Sequence, residues 1–223
     1  MKLILASQGF TTPEIADAIP KIVGKPLDQV NVAIINEAYV GIAPAEDEKW
    51  LIWELGLIKQ YIGGIISFVN LRAYDIDEIK RRLEFADLIY IVGGQSGILP
   101  KLFLETGFDK LLRELAGTKV IMGTSAGSMV LGQQIQNAEY WRHLYGDPDK
   151  YMNPPMLGFV DFNIRPHFGR PDHAEKNQPD ALMQLLKNER FPIYGLRDDQ
   201  AVIYDNDKIE FVGGEPLHFG AGK

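Results

Sequence analysis

Short apolar runs alternate with amphipathic stretches along the first half of the chain. The apolar runs predict buried β-strands at residues 2–6, 30–36, 65–71, 88–92 and 119–122. Each run is continuously apolar rather than alternating, which is typical of a parallel sheet covered on both faces.

The stretches between these runs carry helical patterns. They predict helices at residues 46–61, 75–85 and 108–115. Asp75 opens the second helix with Glu78 three residues later, which suits an N-terminal cap. The alternation of strand and helix predicts a doubly wound α/β fold with a mostly parallel sheet flanked by helices.

The second half of the chain predicts further elements with less regular spacing. A strand near residues 159–165, a helix near 179–188 and a strand near 192–196 precede a predicted C-terminal hairpin over residues 200–212. The chain shows no internal repeat and no linker, so we expect a single domain over residues 1–223. Residues 139–155 show no clear period and predict either a functional loop or a plain surface loop.

Composition and charge narrow the possible classes of function. The formal net charge is −7 and no stretch is strongly basic, which argues against nucleic acid as a partner. The absence of cysteine excludes disulfides, thiolate metal sites and a cysteine nucleophile. No apolar run approaches the roughly 18 residues that a membrane helix needs. We therefore expect no membrane association and a cytoplasmic location, and self-association into a homo-oligomer is compatible with the sequence.

The strongest chemical signal is the segment Gly123-Thr124-Ser125-Ala126-Gly127, which joins an apolar strand to a helical pattern. This is the G-x-S-x-G pattern of a nucleophile elbow, in which strained backbone lifts the serine hydroxyl above the edge of the sheet. The helix that follows directs its free N–H groups toward the hydroxyl. The alternative interpretation is a Gly-Ser turn that only cradles a phosphate.

Two glycines end the strand near residue 92 and give a second signal. A tight turn at Gly93 and Gly94 would direct backbone N–H groups into the crevice beyond the strand ends. The functional interpretation is an oxyanion hole formed by the N–H groups of Gln95 and Ala126, with Gly94 beside the substrate. The alternative is a turn that binds no ligand.

His167 gives the third signal, because it ends an apolar strand and follows Pro166, which restricts its position. A general base needs such a fixed orientation. We expect the other histidines, which are His143, His173 and His218, to be ordinary exposed or packed side chains.

Together these three segments resemble the peptidase E family of serine peptidases, which includes cyanophycinases. The resemblance covers most of the chain, from residue 2 to about residue 212. It implies a fold like that of class I glutamine amidotransferases, with serine in place of their cysteine. It also implies a Ser-His-acid apparatus, to which Ser125 and His167 carry over directly.

The acid does not carry over directly. Aspartyl dipeptidases of this family have an acid about fifteen residues after the serine, and here Tyr140 stands at that place with Glu139 beside it. We therefore predict Glu139 as the acid. Asp198, at the end of a predicted strand, is the main alternative; Asp147, Asp149 or no acid at all are the further ones.

Aspartyl dipeptidases also resemble one another in an arginine that reads the substrate carboxylate. The resemblance places Gln178 at this position, and a glutamine does not pair with a carboxylate as a cation does. Arg165 or Arg170 is a possible substitute, and we select Arg165 as a substrate-binding residue.

The predicted function is hydrolysis of amide bonds in small peptides through an acyl-enzyme, without metal or organic cofactor. No two histidines stand at zinc-binding spacing with a carboxylate between them. The alternatives are a catalytically silent binding module and an esterase or amidotransferase-like enzyme with the same apparatus.

Overall fold

The structure, a computed structural model, describes residues 1–39, 49–146 and 155–220. The strands are β1 Lys2–Ala6, β2 Val32–Ile35, β3 Ile66–Phe68, β4 Leu88–Ile91, β5 Val120–Thr124, β6 Asn163–Phe168, β7 Ile193–Arg197, β8 Ala201–Asp205, β9 Lys208–Val212 and β10 Leu217–Phe219. The helices are α1 Pro13–Val23, α2 Lys49–Tyr61, α3 Ile76–Leu83, α4 Ile98–Thr106, α5 Phe108–Leu115, α6 Ala126–Met129, α7 Ala138–Tyr145 and α8 Pro179–Leu186.

A seven-stranded sheet forms the centre of the molecule, with the strand order β3-β2-β4-β5-β1-β8-β9. The first five strands in this order pair in parallel, and β8 and β9 join antiparallel. All five predicted strands of the first half are present, so the prediction of an α/β fold with a mostly parallel sheet is confirmed. Ser125 directly follows β5, which lies between β4 and β1, so it stands at the carboxyl edge of the sheet.

Apolar side chains cover both faces of this sheet, as the continuously apolar runs predict. Leu5, Ile89 and Ile121 contribute to the core on one face, whereas Ile4 and Tyr90 point to the other, and all five are fully buried. Neighbouring residues of a strand point to opposite faces, so a strand covered on both sides needs apolar residues throughout.

A second, three-stranded sheet with the order β10-β7-β6 positions the histidine. Strands β6 and β7 pair in parallel, and their register shifts between Arg165 and Phe168. His167 lies in this irregular part and has a φ of 66°. A bulge of this kind re-aims a side chain, and here it lies next to the candidate site.

Strands β8 and β9 form a hairpin whose turn consists of Asn206 and Asp207. Both residues have positive φ, at 47° and 70°. This is the backbone conformation of a two-residue type I′ turn, in which Asn and Asp are favoured.

The prediction of an irregular segment from residue 139 is wrong at its beginning, where α7 forms. The Asn137 side chain caps this helix by accepting from the N–H groups of Glu139 and Tyr140, and Trp141 packs in the core. Residues 147–154, which include Asp147 and Asp149, lie outside the described residues. Helices α1 and α4 were not predicted. None of the helices within the described ranges is long and apolar enough to cross a membrane.

Candidate active site

Ser125 occupies a sharp turn between β5 and α6, with φ 51° and ψ −116°. Such a conformation is strained for a residue with a side chain. The flanking glycines are required by close backbone contacts. A Cβ on Gly123 would lie 2.3 Å from the carbonyl oxygen of Gly127, and a Cβ on Gly127 would lie 2.2 Å from that of Ile91. This turn has the backbone geometry that a nucleophile elbow requires.

His167 lies beside Ser125. Its Nε2 is 2.8 Å from Ser125 Oγ, and its ring is nearly buried. Its backbone N–H donates to the hydroxyl of Ser7 at 2.8 Å, which holds the strained residue in place. The distance between Oγ and Nε2 is that of a nucleophile and its base.

Asp198, directly after β7, contacts the other nitrogen of the same ring. Its Oδ1 lies 2.8 Å from His167 Nδ1 and also accepts a hydrogen bond from Ser7 Oγ at 2.8 Å. Burial alone would raise the pKa of Asp198, but the hydrogen bonds from His167 and Ser7 and the nearby charge of Arg170 outweigh it and lower this pKa. These contacts favour the carboxylate form of Asp198.

The prediction of Glu139 as the acid does not agree with this geometry. Glu139 lies on the solvent side of α7, where its side chain is 64% exposed and pairs with Arg142. The inner side of this helix is taken by Tyr140, Trp141 and Leu144, which are buried. Helix α7 therefore directs Glu139 away from His167, and the alternative, Asp198, holds the position beside the ring.

The glycines after β4 lie close to Ser125 and to Ala38. A Cβ on Gly93 would lie 2.8 Å from Ser125 Cβ, and one on Gly94, whose φ is 137°, would lie 2.7 Å from the carbonyl oxygen of Ala38. The N–H of Gln95 donates to that same carbonyl at 3.0 Å. Gln95 therefore does not offer its amide to an oxyanion, contrary to the prediction, because the turn already uses it.

A cavity of about 390 Å³ opens at Ser125 and His167. Gly94 and Arg165, predicted to bind substrate, and Ala126, predicted to contribute to an oxyanion hole, are among the residues that line it. Arg165 is buried, and its Nε donates to Asn177 Oδ1 at 2.7 Å, whereas its Nη2 has no hydrogen-bond partner in the described part of the chain. The cavity thus holds a buried cation with a free donor.

Gln178 lies elsewhere, at the start of α8, where it lines a different cavity together with Phe168 and Pro179. Arg170, the second candidate cation, makes two hydrogen bonds to Asp172, at 2.9 and 2.5 Å. Of the two arginines considered from the sequence, Arg165 is the one with an unused donor.

Several residues of the site were not predicted. Ser7 follows β1, and a single serine after an apolar strand carries no distinctive pattern. His173 was expected to be an ordinary histidine, but its ring lies 4.8 Å from that of His167. The pKa of His173 is lowered, mainly because the ring is partly buried and also because of the nearby charge of His167. Glu54 on α2 also lines the cavity, and the helical pattern around it gave no sign of this.

Within the described ranges, no group of three or more His, Asp or Glu side chains has a geometry fit to hold a metal ion.

The model of peptidase family S51 matches residues 3–212, which is nearly the whole chain. The chain therefore belongs to this family and is a serine-type peptidase. Among its relatives, peptidase E of Shewanella baltica (strain OS185) is 24% identical over 235 residues, covering 99% of this chain and 90% of that protein. Peptidase E of Streptomyces coelicolor is 28% identical over 142 residues, covering 60% of this chain and 55% of that protein. The resemblance to the peptidase E family is confirmed.

Solved structures share the fold. A crystal structure described as a candidate peptidase E protein from Listeria monocytogenes EGD-e superposes with a TM-score of 0.74 at 22% identity, covering 94% of this chain and 96% of that one. A peptidase from an acI-B1 Actinobacterium gives a TM-score of 0.67 at 20% identity, covering 100% and 95%.

Proposed function

We propose that Ser125, His167 and Asp198 form a catalytic triad that hydrolyses small peptides through an acyl-enzyme. The observation that carries this proposal is the continuous chain of contacts from Ser125 Oγ to His167 Nε2 and from His167 Nδ1 to Asp198 Oδ1, each 2.8 Å long. This order of groups lets the carboxylate fix the tautomer of the ring, so that Nε2 is free to accept the serine proton.

The reaction follows from this geometry. Ser125 Oγ attacks the scissile carbonyl carbon while its proton passes to His167 Nε2. His167 then gives this proton to the leaving amine as the C–N bond breaks. A water molecule, deprotonated by the same nitrogen, next releases the acid product and restores the Ser125 hydroxyl. Asp198 stabilises the charged imidazole throughout.

The oxyanion hole is proposed to consist of the N–H groups of Gly94 and Ala126. Neither amide donates to a backbone carbonyl of the described residues outside regular helix and strand bonding, whereas Gln95 does. Both residues line the cavity beside Ser125. Loss of one such donor typically lowers turnover by about 10²–10³-fold.

Arg165 is proposed to bind a carboxylate of the substrate. Its burial and its Nη2, which has no hydrogen-bond partner among the described residues, support this role, because an anionic ligand stabilises a buried cation. Arg165 would then bind the substrate carboxylate in place of the family's arginine, whose position is occupied by Gln178 in this chain.

Four further proposals concern the fold, the location, self-association and the independence of turnover from metal. The sheet order and the nucleophile after β5 support a fold like that of class I glutamine amidotransferases. A cytoplasmic location and self-association stay predictions, which fractionation of cells and measurement of the molar mass in solution would test. Turnover is expected to persist after exhaustive chelation, because the proposed chemistry uses no metal.

Labelling with a small fluorophosphonate tests the proposed nucleophile. Ser125 Oγ is expected to displace fluoride and form a phosphonyl ester, which peptide mass mapping would locate. Ser125→Ala should not be labelled, His167→Ala should be labelled far more slowly, and Glu139→Gln should be labelled at the wild-type rate. A label on another residue, or an unchanged rate in His167→Ala, would overturn the proposal.

A further inference from the structure

His173 belongs to a second histidine–carboxylate pair in the catalytic cavity. Its Nδ1 lies 3.3 Å from Oδ2 of Asp172, and both residues line the cavity. Arg170 holds this carboxylate with two hydrogen bonds, at 2.9 and 2.5 Å. The carboxylate favours the tautomer whose proton is on Nδ1, so Nε2 of His173 is left as an acceptor. The pair thus repeats the arrangement of His167 and Asp198.

The turn that follows β6 brings this second pair next to the first. Residues Pro171–His173 form one turn of 3₁₀-helix, in which the N–H of His173 donates to the carbonyl of Arg170 at 3.1 Å. The N–H of Asn177 donates to the carbonyl of His173 at 2.9 Å, which fixes the end of this turn. As a result, the centre of the His173 ring lies 4.8 Å from that of His167, and the two ring planes are tilted by 49°.

The surroundings of His173 favour its neutral form. Burial is the main cause that lowers the pKa of this imidazole, and the nearby charge of His167 lowers it further. The Asp172 carboxylate acts in the opposite direction but does not outweigh these two effects. A neutral imidazole accepts a hydrogen bond at one nitrogen, whereas a charged one only donates. The ring beside His167 is therefore available as an acceptor.

We propose that Nε2 of His173 holds the water molecule that hydrolyses the acyl-enzyme. This inference rests on the proposed function, since it assumes that the triad forms an ester on Ser125. Two hydrogen bonds of about 2.8 Å let one water molecule bridge two nitrogens up to about 5.6 Å apart. Two rings whose centres are 4.8 Å apart are within the range of such a bridge.

Hydrolysis of the ester would need no change in the proton on His173. One O–H of the water gives its proton to Nε2 of His167 as the oxygen attacks the ester carbonyl carbon. The other O–H donates a hydrogen bond to Nε2 of His173. The C–O bond to Ser125 then breaks, and His167 returns the proton to Oγ. His173 therefore orients the water, whereas His167 remains the base.

Two other acceptors of the cavity are less suited to this water. The side-chain oxygens of Gln8 and Asp172 line the same cavity, but both already accept hydrogen bonds from Arg170. The Nε2 atom of His173 is the acceptor that the neighbouring carboxylate leaves unprotonated.

This role concerns only one half of the reaction. Attack of Ser125 on the substrate depends on His167 and Asp198, whereas hydrolysis of the ester also depends on the position of the water. Removal of the acceptor at residue 173 should therefore slow deacylation and leave acylation unchanged. A residue that merely supported the fold of the site would affect both steps.

Stopped-flow kinetics with p-nitrophenyl acetate measures the two halves separately. The initial burst of p-nitrophenolate reports acetylation of Ser125, and the steady rate that follows reports hydrolysis of the acetyl-enzyme. His173→Phe keeps a flat ring beside His167 but has no acceptor. Its burst rate should stay within about twofold of the wild type, and its steady rate should fall by about tenfold, as expected for one lost hydrogen bond.

The other variants separate the lost acceptor from a change of shape. His173→Gln carries an amide oxygen that can accept from the water and should recover most of the steady rate. His173→Ala, which also lacks an acceptor, should repeat the result of His173→Phe and replaces it if the larger ring does not fit. His218→Gln is the matched control, because this histidine lies on β10 and packs with Tyr194. Both of its rates should equal those of the wild type.

Two results would overturn the inference: a steady rate in His173→Phe and His173→Ala equal to that of the wild type, or burst and steady rates that fall together. Fluorophosphonate labelling separates these results from a failure of the proposed function, because the phosphonyl ester forms without water. A wild type that shows neither label nor burst would contradict the triad. Labelling of His173→Phe at the wild-type rate with an unchanged steady rate would contradict the role of His173 and leave the triad intact.

Discussion

Ser7 connects two members of the proposed triad through one hydroxyl group. Its Oγ donates to the carboxylate of Asp198 and accepts from the backbone N–H of His167. The hydroxyl of Thr11 also donates to the backbone carbonyl of Asp198. These contacts fix both the acid and the strained histidine, which is what a preorganised site requires.

The assignment of the acid can be tested by two amide substitutions. Asp198→Asn keeps the shape of the side chain but no longer enforces the tautomer of His167. Turnover should fall toward the roughly 10⁴-fold loss known for the analogous change in another triad. Glu139→Gln should leave turnover within about twofold, because exposed ion pairs contribute little.

Steady-state kinetics on one peptide, with far-UV spectra to confirm folding, would compare the two variants. A crippling Glu139→Gln together with a harmless Asp198→Asn would contradict the assignment.

The proposed nucleophile and base were predictable from local sequence, whereas the proposed acid was not. The elbow is encoded in five consecutive residues, because the glycines on both sides are dictated by contacts within the turn. The place of Asp198 beside His167 results from the pairing of β6 with β7. The number of residues between Ser125 and Glu139 does not indicate which carboxylate lies beside His167.

At the level of elements, the carboxyl ends of β4 and β5 form the site through close backbone packing. A Cβ on Gly123 would collide with the backbone at the start of α6, whereas one on Gly117 would meet no atom nearer than 3.5 Å.

Gly123→Ala should therefore destabilise the protein by about 1–3 kcal/mol, the usual cost of overpacking, and reduce turnover by displacing Ser125. Gly117→Ala is the control and should change stability by no more than about 0.5 kcal/mol. Urea unfolding of both variants would measure the difference, and an equal stability of the two would contradict the packing argument.

The strands were easier to predict than the helices. Buried parallel strands are short, continuously apolar runs, and such runs stand out in the sequence. Helix α1 was missed although Thr12 caps it and Pro13 takes its first position. Helix α7 was missed because Asp and Pro residues follow it closely, while its cap at Asn137 lies just before the segment.

For the whole molecule, buried carboxyl groups make stability depend on pH. The folded-state pKa of Glu54 is raised by burial, so its contribution to stability is fully present below the pKa of the unfolded chain and is lost as pH rises through the folded-state pKa. Asp198 has the opposite sign, because its pKa is lowered, and its contribution is lost at acidic pH.

Glu54→Gln should therefore stabilise the protein relative to the wild type more at pH 8 than at pH 4.5. The measurement is the free energy of unfolding of both proteins at these two pH values. A difference that stays constant or shrinks toward pH 8 would show that Glu54 does not carry a raised pKa.

The most direct test of the central claim is hydrolysis of a dipeptide panel by the wild type and by Ser125→Ala at equal, verified concentrations of folded protein. The wild type is expected to cleave at least one dipeptide, and Ser125→Ala is expected to lose turnover by at least about 10⁴-fold, because the attacking hydroxyl is gone. Wild-type turnover in Ser125→Ala on every peptide that the wild type cuts would contradict it.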